Sequence, residues 1–236
     1  MGNFVKPSCL ECGSRSMGVL CNVEGHALEQ LNRHKTANQY KKGQVIFYEG
    51  NQAFGIYGIY SGRVKLYKTA PDGRRQIVRV CGPGDILGYR SLFAQEPYHA
   101  TAESLEDSVI CCIDRAAFFA VLSETPALSL ALLHKLSKEL RNAEDLATSI
   151  AHRPVRERMA ELLLMLKEVY GKATAKGIRI QLELSREEMA EMIGVTQETA
   201  IRLLSEFKKE GLIEVRDRSI TIIRHESLLA TAGIAD

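Results

Sequence analysis

Apolar and polar positions along this chain follow two rhythms. Between Tyr40 and about Ile113 they alternate in short runs: Gln44–Tyr48, Gly55–Tyr60, Arg63–Tyr67, Gln76–Cys81, His99–Glu103 and Ser108–Ile113. Glu49-Gly50, Ser61-Gly62, Pro71-Asp72-Gly73 and Gly82-Pro83-Gly84-Asp85 punctuate them. Period two with Gly-rich turns predicts closely spaced strands of a sandwich or jelly-roll barrel. From Ala127 to Ile150 the period lengthens. Leu133, Leu136, Leu140, Ala143, Ala147 and Ile150 step by three and four. That seam suits a parallel helix pair, although the same stripe could pack on the chain's own barrel. A short helix is expected at 26–34, Pro154 marks a break, and a Leu-rich helix opens the last third at Ala160–Val169.

The stretch Leu184–Ile213 then reads as two helices hinged at Gly194-Val195. Ser185 can cap the first, with Glu188 completing a capping box, and Thr196 can cap the second. Met189, Ala190 and Ile193 make one inward face, and Ala200, Leu203, Leu204 and Phe207 the other. Gln197, Glu198, Ile201 and Arg202 are left on the opposite side, near the helix N-terminus, where a helix-turn-helix presents base-reading side chains. Arg can pair with guanine through two hydrogen bonds, and Glu can accept from the cytosine amino group. Two β-type runs follow, Leu212–Val215 and Ser219–Ile223, joined by Arg216-Asp217-Arg218. Helix-turn-helix plus hairpin is a winged helix, and Lys208, Lys209, Arg216 and Arg218 are placed to meet phosphates. A plain helical hairpin with a solvated charged face is the alternative.

Composition changes the picture only modestly. The 236 residues leave room for two modest domains and a linker, and 45% hydrophobic with 25% charged residues describes a globular chain. Net charge is +2, so bulk charge does not announce nucleic acid; a basic footprint would have to come from spatial arrangement. No run reaches the ~18 apolar residues of a membrane span, so no membrane partner is expected. The N-terminal residues lack an apolar signal core, which points to the cytoplasm. No Gly-x-Ser-x-Gly elbow, P-loop or His-Glu-x-x-His occurs, so an enzyme is not expected. Six cysteines in such a compartment are core thiols, metal or cluster ligands, or redox groups sooner than structural disulfides.

Cysteine leader, β-roll, long helix and winged helix together resemble the CRP/FNR family of bacterial transcription regulators, over nearly the whole chain. Gly82-Pro-Gly-Asp85-Ile-Leu-Gly88 resembles the family's roll motif, and Thr196-Gln-Glu-Thr-Ala-Ile-Arg202 its recognition-helix signature. The resemblance implies an α+β fold: a Cys-containing leader over 1–25, a sensory β-roll resembling a cyclic-nucleotide-binding domain over 26–124, a dimerisation helix over 125–152 and a winged helix-turn-helix over 153–236. It also implies a homodimer reading a palindromic double-stranded operator and working with RNA polymerase. Glu198 and Arg202 match the family's base-contacting pair. Gln197 stands where catabolite-activator-like members have Arg and FNR-like members Val. Ile201 stands where FNR-like readers have Ser.

Two inputs are implied. Cys9, Cys12 and Cys21 with Cys111 resemble the ligands of an FNR-type 4Fe-4S cluster, although eight residues separate Cys12 from Cys21 where the pattern has five. Zinc, a reversible disulfide or plain thiols remain open for the same residues. The other input is a nucleotide, cyclic mono- or dinucleotide, in a pocket around Gly88, Tyr89, Arg90, Ser91, His99 and Ala100. There the family's ribose-binding Glu is replaced by Tyr89, and its phosphate-binding Arg-Ser by His99-Ala100; Arg90 or His99 would have to serve the phosphate. Haem is a third possibility, with His26, His34, His99 and His134 as candidates.

Overall fold

The computed structural model describes residues 6–234. The ends of the expected leader and winged-helix segments, 1–5 and 235–236, lie outside them. The chain divides into two compact units, one up to Arg141 and one from Asn142, so the division falls inside the long helix.

The first unit starts with two 3-10 turns, Gly13–Met17 and Val19–Asn22, and helix α1, Gly25–His34. Eight strands follow: β1 Lys35–Tyr40, β2 Val45–Phe47, β3 Gly55–Ser61, β4 Val64–Thr69, β5 Arg75–Cys81, β6 Ile86–Leu87, β7 Thr101–Ser104 and β8 Ser108–Asp114. They form two antiparallel sheets, ordered β1-β8-β3-β6 and β2-β7-β4-β5. The alternating side chains of both sheets meet in one core, among them Ile56, Ile59, Val64, Leu66, Ile86, Leu87 and Ile110. Each such buried side chain contributes about 1.5–3 kcal/mol. Helix α2, Tyr89–Ala94, closes one end. Helix α3, Arg115–Glu124, is capped by Asp114, whose Oδ1 accepts from the Ala117 N–H at 2.9 Å.

Helix α4 runs unbroken from Pro126 to His152. Leu128 and Leu132 are buried in the roll's core, and Leu136 packs against it. Leu136 therefore does not belong to the free seam expected of it: its side of the helix is taken by the chain's own barrel. Leu133, Leu140 and Ile150 stay exposed, as do Ala143 and Ala147, and Leu130 joins them.

In the second unit, α5 spans Val155–Tyr170 and buries Met159, Ala160, Leu162, Leu163, Leu164 and Leu166. The hairpin β9 Gly171–Thr174 and β10 Gly177–Ile180 precedes α6, Arg186–Ile193, and α7, Gln197–Lys209. The wing is β11, Ile213–Arg216, and β12, Ser219–Ile222, followed by α8, His225–Thr231. Its sheet runs β11-β12-β10-β9, so the unexpected hairpin extends the wing to four strands. Among the described residues no single helix is long and apolar enough to cross a membrane.

Candidate functional site

The helix pair owes its geometry to short-range chemistry. Ser185 Oγ accepts from the Glu188 N–H at 3.0 Å and Glu188 Oε2 accepts from the Ser185 N–H at 2.7 Å, a complete capping box. Gly194 ends α6 in the left-handed region, at φ 69°, where a side chain would be strained. Thr196 Oγ1 accepts from the Thr199 N–H at 3.3 Å and starts α7. Ala200, Leu203, Leu204 and Phe207 are buried. Thr196, Gln197, Glu198, Ile201, Arg202 and Lys208 are exposed, and Ile201, an apolar side chain, is 44% exposed with no packing role to explain it.

Arg202 is held. It donates to Glu206 Oε1 at 2.9 Å, and the other oxygen of Glu206 lies 3.4 Å from Arg156. Arg156 also pairs with Glu210 at 2.6 Å and lies over the Phe207 ring at 4.8 Å. Hydrogen bonds from its own N–H and the Thr196 hydroxyl hold the Glu198 carboxyl below the usual range, which favours its ionised form. On the wing, Asp217 turns the chain at φ 52° and its carbonyl accepts from Arg186 at 2.9 Å. Arg216 is tied to Glu214 at 2.9 Å, while Arg218 is exposed. A groove of about 630 Å³ beside the turn is lined by Lys176, Arg179, Arg216 and Arg218 with Glu183, Glu214 and Asp217. Lys176 and Arg179 come from the extra hairpin, whose short strands carry too few apolar residues to announce it.

The leader lies on the roll. Ser14 Oγ donates to the Tyr60 carbonyl at 2.5 Å, and a Cβ on Gly18 would fall 1.8 Å from the Gly84 carbonyl. Cys9, Cys12 and Cys111 share a neighbourhood centred on Lys35, which is 2% exposed and donates through Nζ to the Pro7 carbonyl. Burial pushes the Cys9 thiol up, with the Lys35 charge opposing. Burial likewise pushes Cys111 up to about 11, against Lys35, and the charges of Cys9 and Cys12 add to the rise. Cys21 sits in the second 3-10 turn, its carbonyl held by Arg15 at 3.2 Å. Among the described residues no three His, Cys, Asp or Glu side chains gather to hold a metal ion. The four cysteines expected to share an iron–sulfur cluster are therefore not drawn together into one group in this arrangement. Cys112 has Tyr40, Tyr57 and Tyr98 as neighbours, and Cys81 is fully buried and pushed up to about 12 by that burial. His26 and His34 lie near Glu124 and Asp114 at the surface, and His134 is exposed.

The pocket expected around α2 is different from its sequence reading. Gly88 starts α2 at φ 81°, and a Cβ there would meet the Tyr98 ring at 3.0 Å. Tyr89 and Ser91 are buried, and Ala100 is partly so. Arg90 and His99, the expected phosphate partners, are surface side chains, and His99 pairs with Glu96 at 3.0 Å. In this arrangement neither of the two side chains lies inside the roll. The charges inside come from elsewhere. Arg79 of β5 pairs with Glu139 of α4, and Lys135 bridges Asp85 at 2.7 Å and Glu139 at 3.4 Å. Of the four, the sequence pointed only to Asp85, as part of the roll motif. Their signal was a Lys-x-x-x-Glu pair inside an otherwise apolar helix stripe.

Comparison with known proteins follows this division. Residues 37–125 match the cyclic nucleotide-binding domain and residues 157–231 the Crp-like helix-turn-helix domain. The chain is 32% identical over 211 residues to a probable transcriptional activator of Rhizobium leguminosarum bv. viciae, covering 89% of this chain and 86% of that one. It is 29% identical over 215 residues to the CRP-like cAMP-activated global transcriptional regulator of Mycobacterium tuberculosis, covering 91% and 96%. Among solved structures, FixK2 from Bradyrhizobium japonicum superposes with a TM-score of 0.75 at 27% identity, covering 86% of this chain and 99% of that one. These relatives and domains are transcription regulators, not enzymes.

Proposed function

The chain belongs to the CRP/FNR family of DNA-binding transcription regulators, and on that premise we propose that it binds a palindromic operator as a homodimer and answers a redox signal through its thiols. The observation that carries the DNA reading is the outer face of α7. Gln197, Glu198, Ile201 and Arg202 are exposed together at the helix N-terminus, while every apolar residue of the opposite face is buried. Glu198 and Arg202 supply an ionised acceptor and a two-pronged donor, and Ile201 an apolar contact for a thymine methyl. Lys208, Arg216 and Arg218 supply phosphate contacts. The exposed stripe Leu133, Leu140, Ala143, Ala147 and Ile150 supports pairing of two α4 helices, which fixes two α7 helices about one DNA turn apart. RNA polymerase is the partner such a regulator serves. Substituting Arg202 by Ala and measuring operator affinity tests the reading.

The signal reading rests on Cys9, Cys12 and Cys111 around the buried Lys35. With a hydroperoxide as oxidant, the O–O bond breaks as a thiol sulfur takes one oxygen to become a sulfenic acid, and the other oxygen leaves as an alcohol. A second thiol then displaces that oxygen as water and closes a disulfide. A nucleotide input is the second reading, favoured by the roll's match to the cyclic nucleotide-binding domain and by the cAMP-activated relative. Peroxide treatment that changes operator affinity in the native protein, but not in a Cys9→Ser, Cys111→Ser variant, separates the two.

A further inference from the structure

Four charges of alternating sign line up between β5, the Gly82–Asp85 turn and α4. Asp85, at the end of the Gly82–Asp85 turn, takes the Lys135 ammonium at 2.7 Å; Lys135 reaches Glu139 at 3.4 Å; Glu139 takes the Arg79 guanidinium. The Arg79 and Glu139 side chains are only 20% and 12% exposed. Tyr89, 0% exposed, sets its hydroxyl beside both. Burial pushes the Tyr89 phenol up, and the Glu139 carboxylate pushes it further. Burial alone would lower Arg79, but the Glu139 carboxylate opposes it and helps hold the guanidinium protonated.

This chain of charges sums to zero. An anionic effector entering beside Tyr89 needs a cation that is free, and among the described residues near it Arg79 and Lys135 are each already paired. It would also meet the Glu139 carboxylate, and like charges at short range in a poorly solvated site repel strongly. We infer that Arg79, Glu139 and Tyr89 are the roll's built-in ligand. Their pairing occupies the place of an anionic effector, determines that the roll rejects nucleotides, and ties β5 to the long helix without any bound molecule. This goes beyond the thiol reading and does not depend on it, since it uses none of Cys9, Cys12 and Cys111.

Buried ion pairs have a diagnostic energetics. Removing one partner strands the other charge, whereas replacing both by apolar groups of similar volume is close to neutral. The test is a cycle of Arg79→Met, Glu139→Met and the double variant, with thermal melting, together with titration of cAMP and of cyclic di-GMP into the unaltered protein by calorimetry. Each single variant should melt well below the parent, and the double should recover most of the loss. The parent should give no binding heat with either nucleotide up to millimolar concentration. Glu139→Met alone, with Arg79 uncovered, should gain thermal protection from inorganic phosphate that the double variant lacks. The inference is overturned if the double variant loses as much as the two singles summed. It is equally overturned if cAMP or cyclic di-GMP binds the parent with micromolar affinity. Should Glu139→Met not fold, Glu139→Gln carries the phosphate measurement, and an unchanged melting temperature in that variant also counts against the pair.

Discussion

Replacing Arg202 by Ala should separate reading from folding. In the free protein the side chain is 64% exposed and its bond to Glu206 is an exposed i,i+4 pair, a class that contributes only about 0.3–0.5 kcal/mol. Ala is the best helix former, so the helix itself loses little. The melting temperature should therefore stay within a few degrees. On DNA the loss is larger. A two-pronged Arg–guanine contact discriminates by roughly 1–3 kcal/mol, and a homodimer makes it twice at well-separated places, so about 2–6 kcal/mol is at stake. At about 1.4 kcal/mol per tenfold, affinity for the operator should fall by roughly 30-fold to 10⁴-fold. The assay selects a duplex from a random pool with the native protein, then follows binding by fluorescence anisotropy at fixed salt. Non-specific affinity and the slope of affinity against salt should change little, because Arg202 is assigned to a base and not to a phosphate. An operator affinity reduced less than about threefold, with an intact dimer, would refute the assignment of Arg202 as a base reader.

Four further outcomes follow from the same structure. Arg218→Ala should weaken binding to all duplexes alike and make the salt slope shallower by about one for each phosphate that goes unneutralised, read from anisotropy across a salt series. Leu133→Asp with Leu140→Asp should give monomers by light scattering while the melting of each unit is kept, because both side chains are exposed. Ser185→Ala removes the acceptor for the Glu188 N–H and should cost about 1 kcal/mol in denaturant unfolding. Protein purified without oxygen should carry far less than one iron per chain; about four irons with acid-labile sulfide would mean that Cys9, Cys12, Cys21 and Cys111 gather in a way this arrangement does not show.

Much of the fold was legible because local chemistry and global packing agree. The capping box, the Gly194 hinge and the inward face of α7 each follow from residues within one turn of one another. Six of the eight roll strands carry alternating apolar residues long enough to read. What was missed has little pattern: β6 is two residues, β1 is mostly polar, and the β9 residues are all exposed. The sites were harder. Arg90 and His99 looked like phosphate partners because they are cations near the right turn, yet a turn's neighbours in sequence need not face inward. Arg79 and Glu139, far apart in the chain, meet only because β5 and α4 pack together, and no local rule links them. The cysteine spacing announced a group but not its membership. Cys111 comes near Lys35 because β1 and β8 are neighbours in one sheet, with Ala37 opposite Cys111.

The long helix shows why one heptad-like stripe could not be assigned to a single partner. An α-helix turns by about 100° per residue, so residues one or two apart face different ways. Leu128, Leu132 and Leu136 lie on the barrel side together with Lys135 and Glu139, the two charges that answer Asp85 and Arg79. Leu130, Leu133 and Leu140 lie exposed on another side. The sequence seam mixed these two sets, taking Leu136 from one and Leu133 and Leu140 from the other. Because both sets sit on one unbroken helix, the position of the exposed stripe is tied to the position of the barrel-side charges. Rotating the helix enough to present a different stripe to a partner helix would have to pull Lys135 and Glu139 away from their counter-charges. Gly18 of the leader packs at close range on Gly84, next to the Asp85 that takes part in this link. In the helix pairing proposed above, the exposed stripe is therefore coupled through one unbroken helix to the paired charges on its other side.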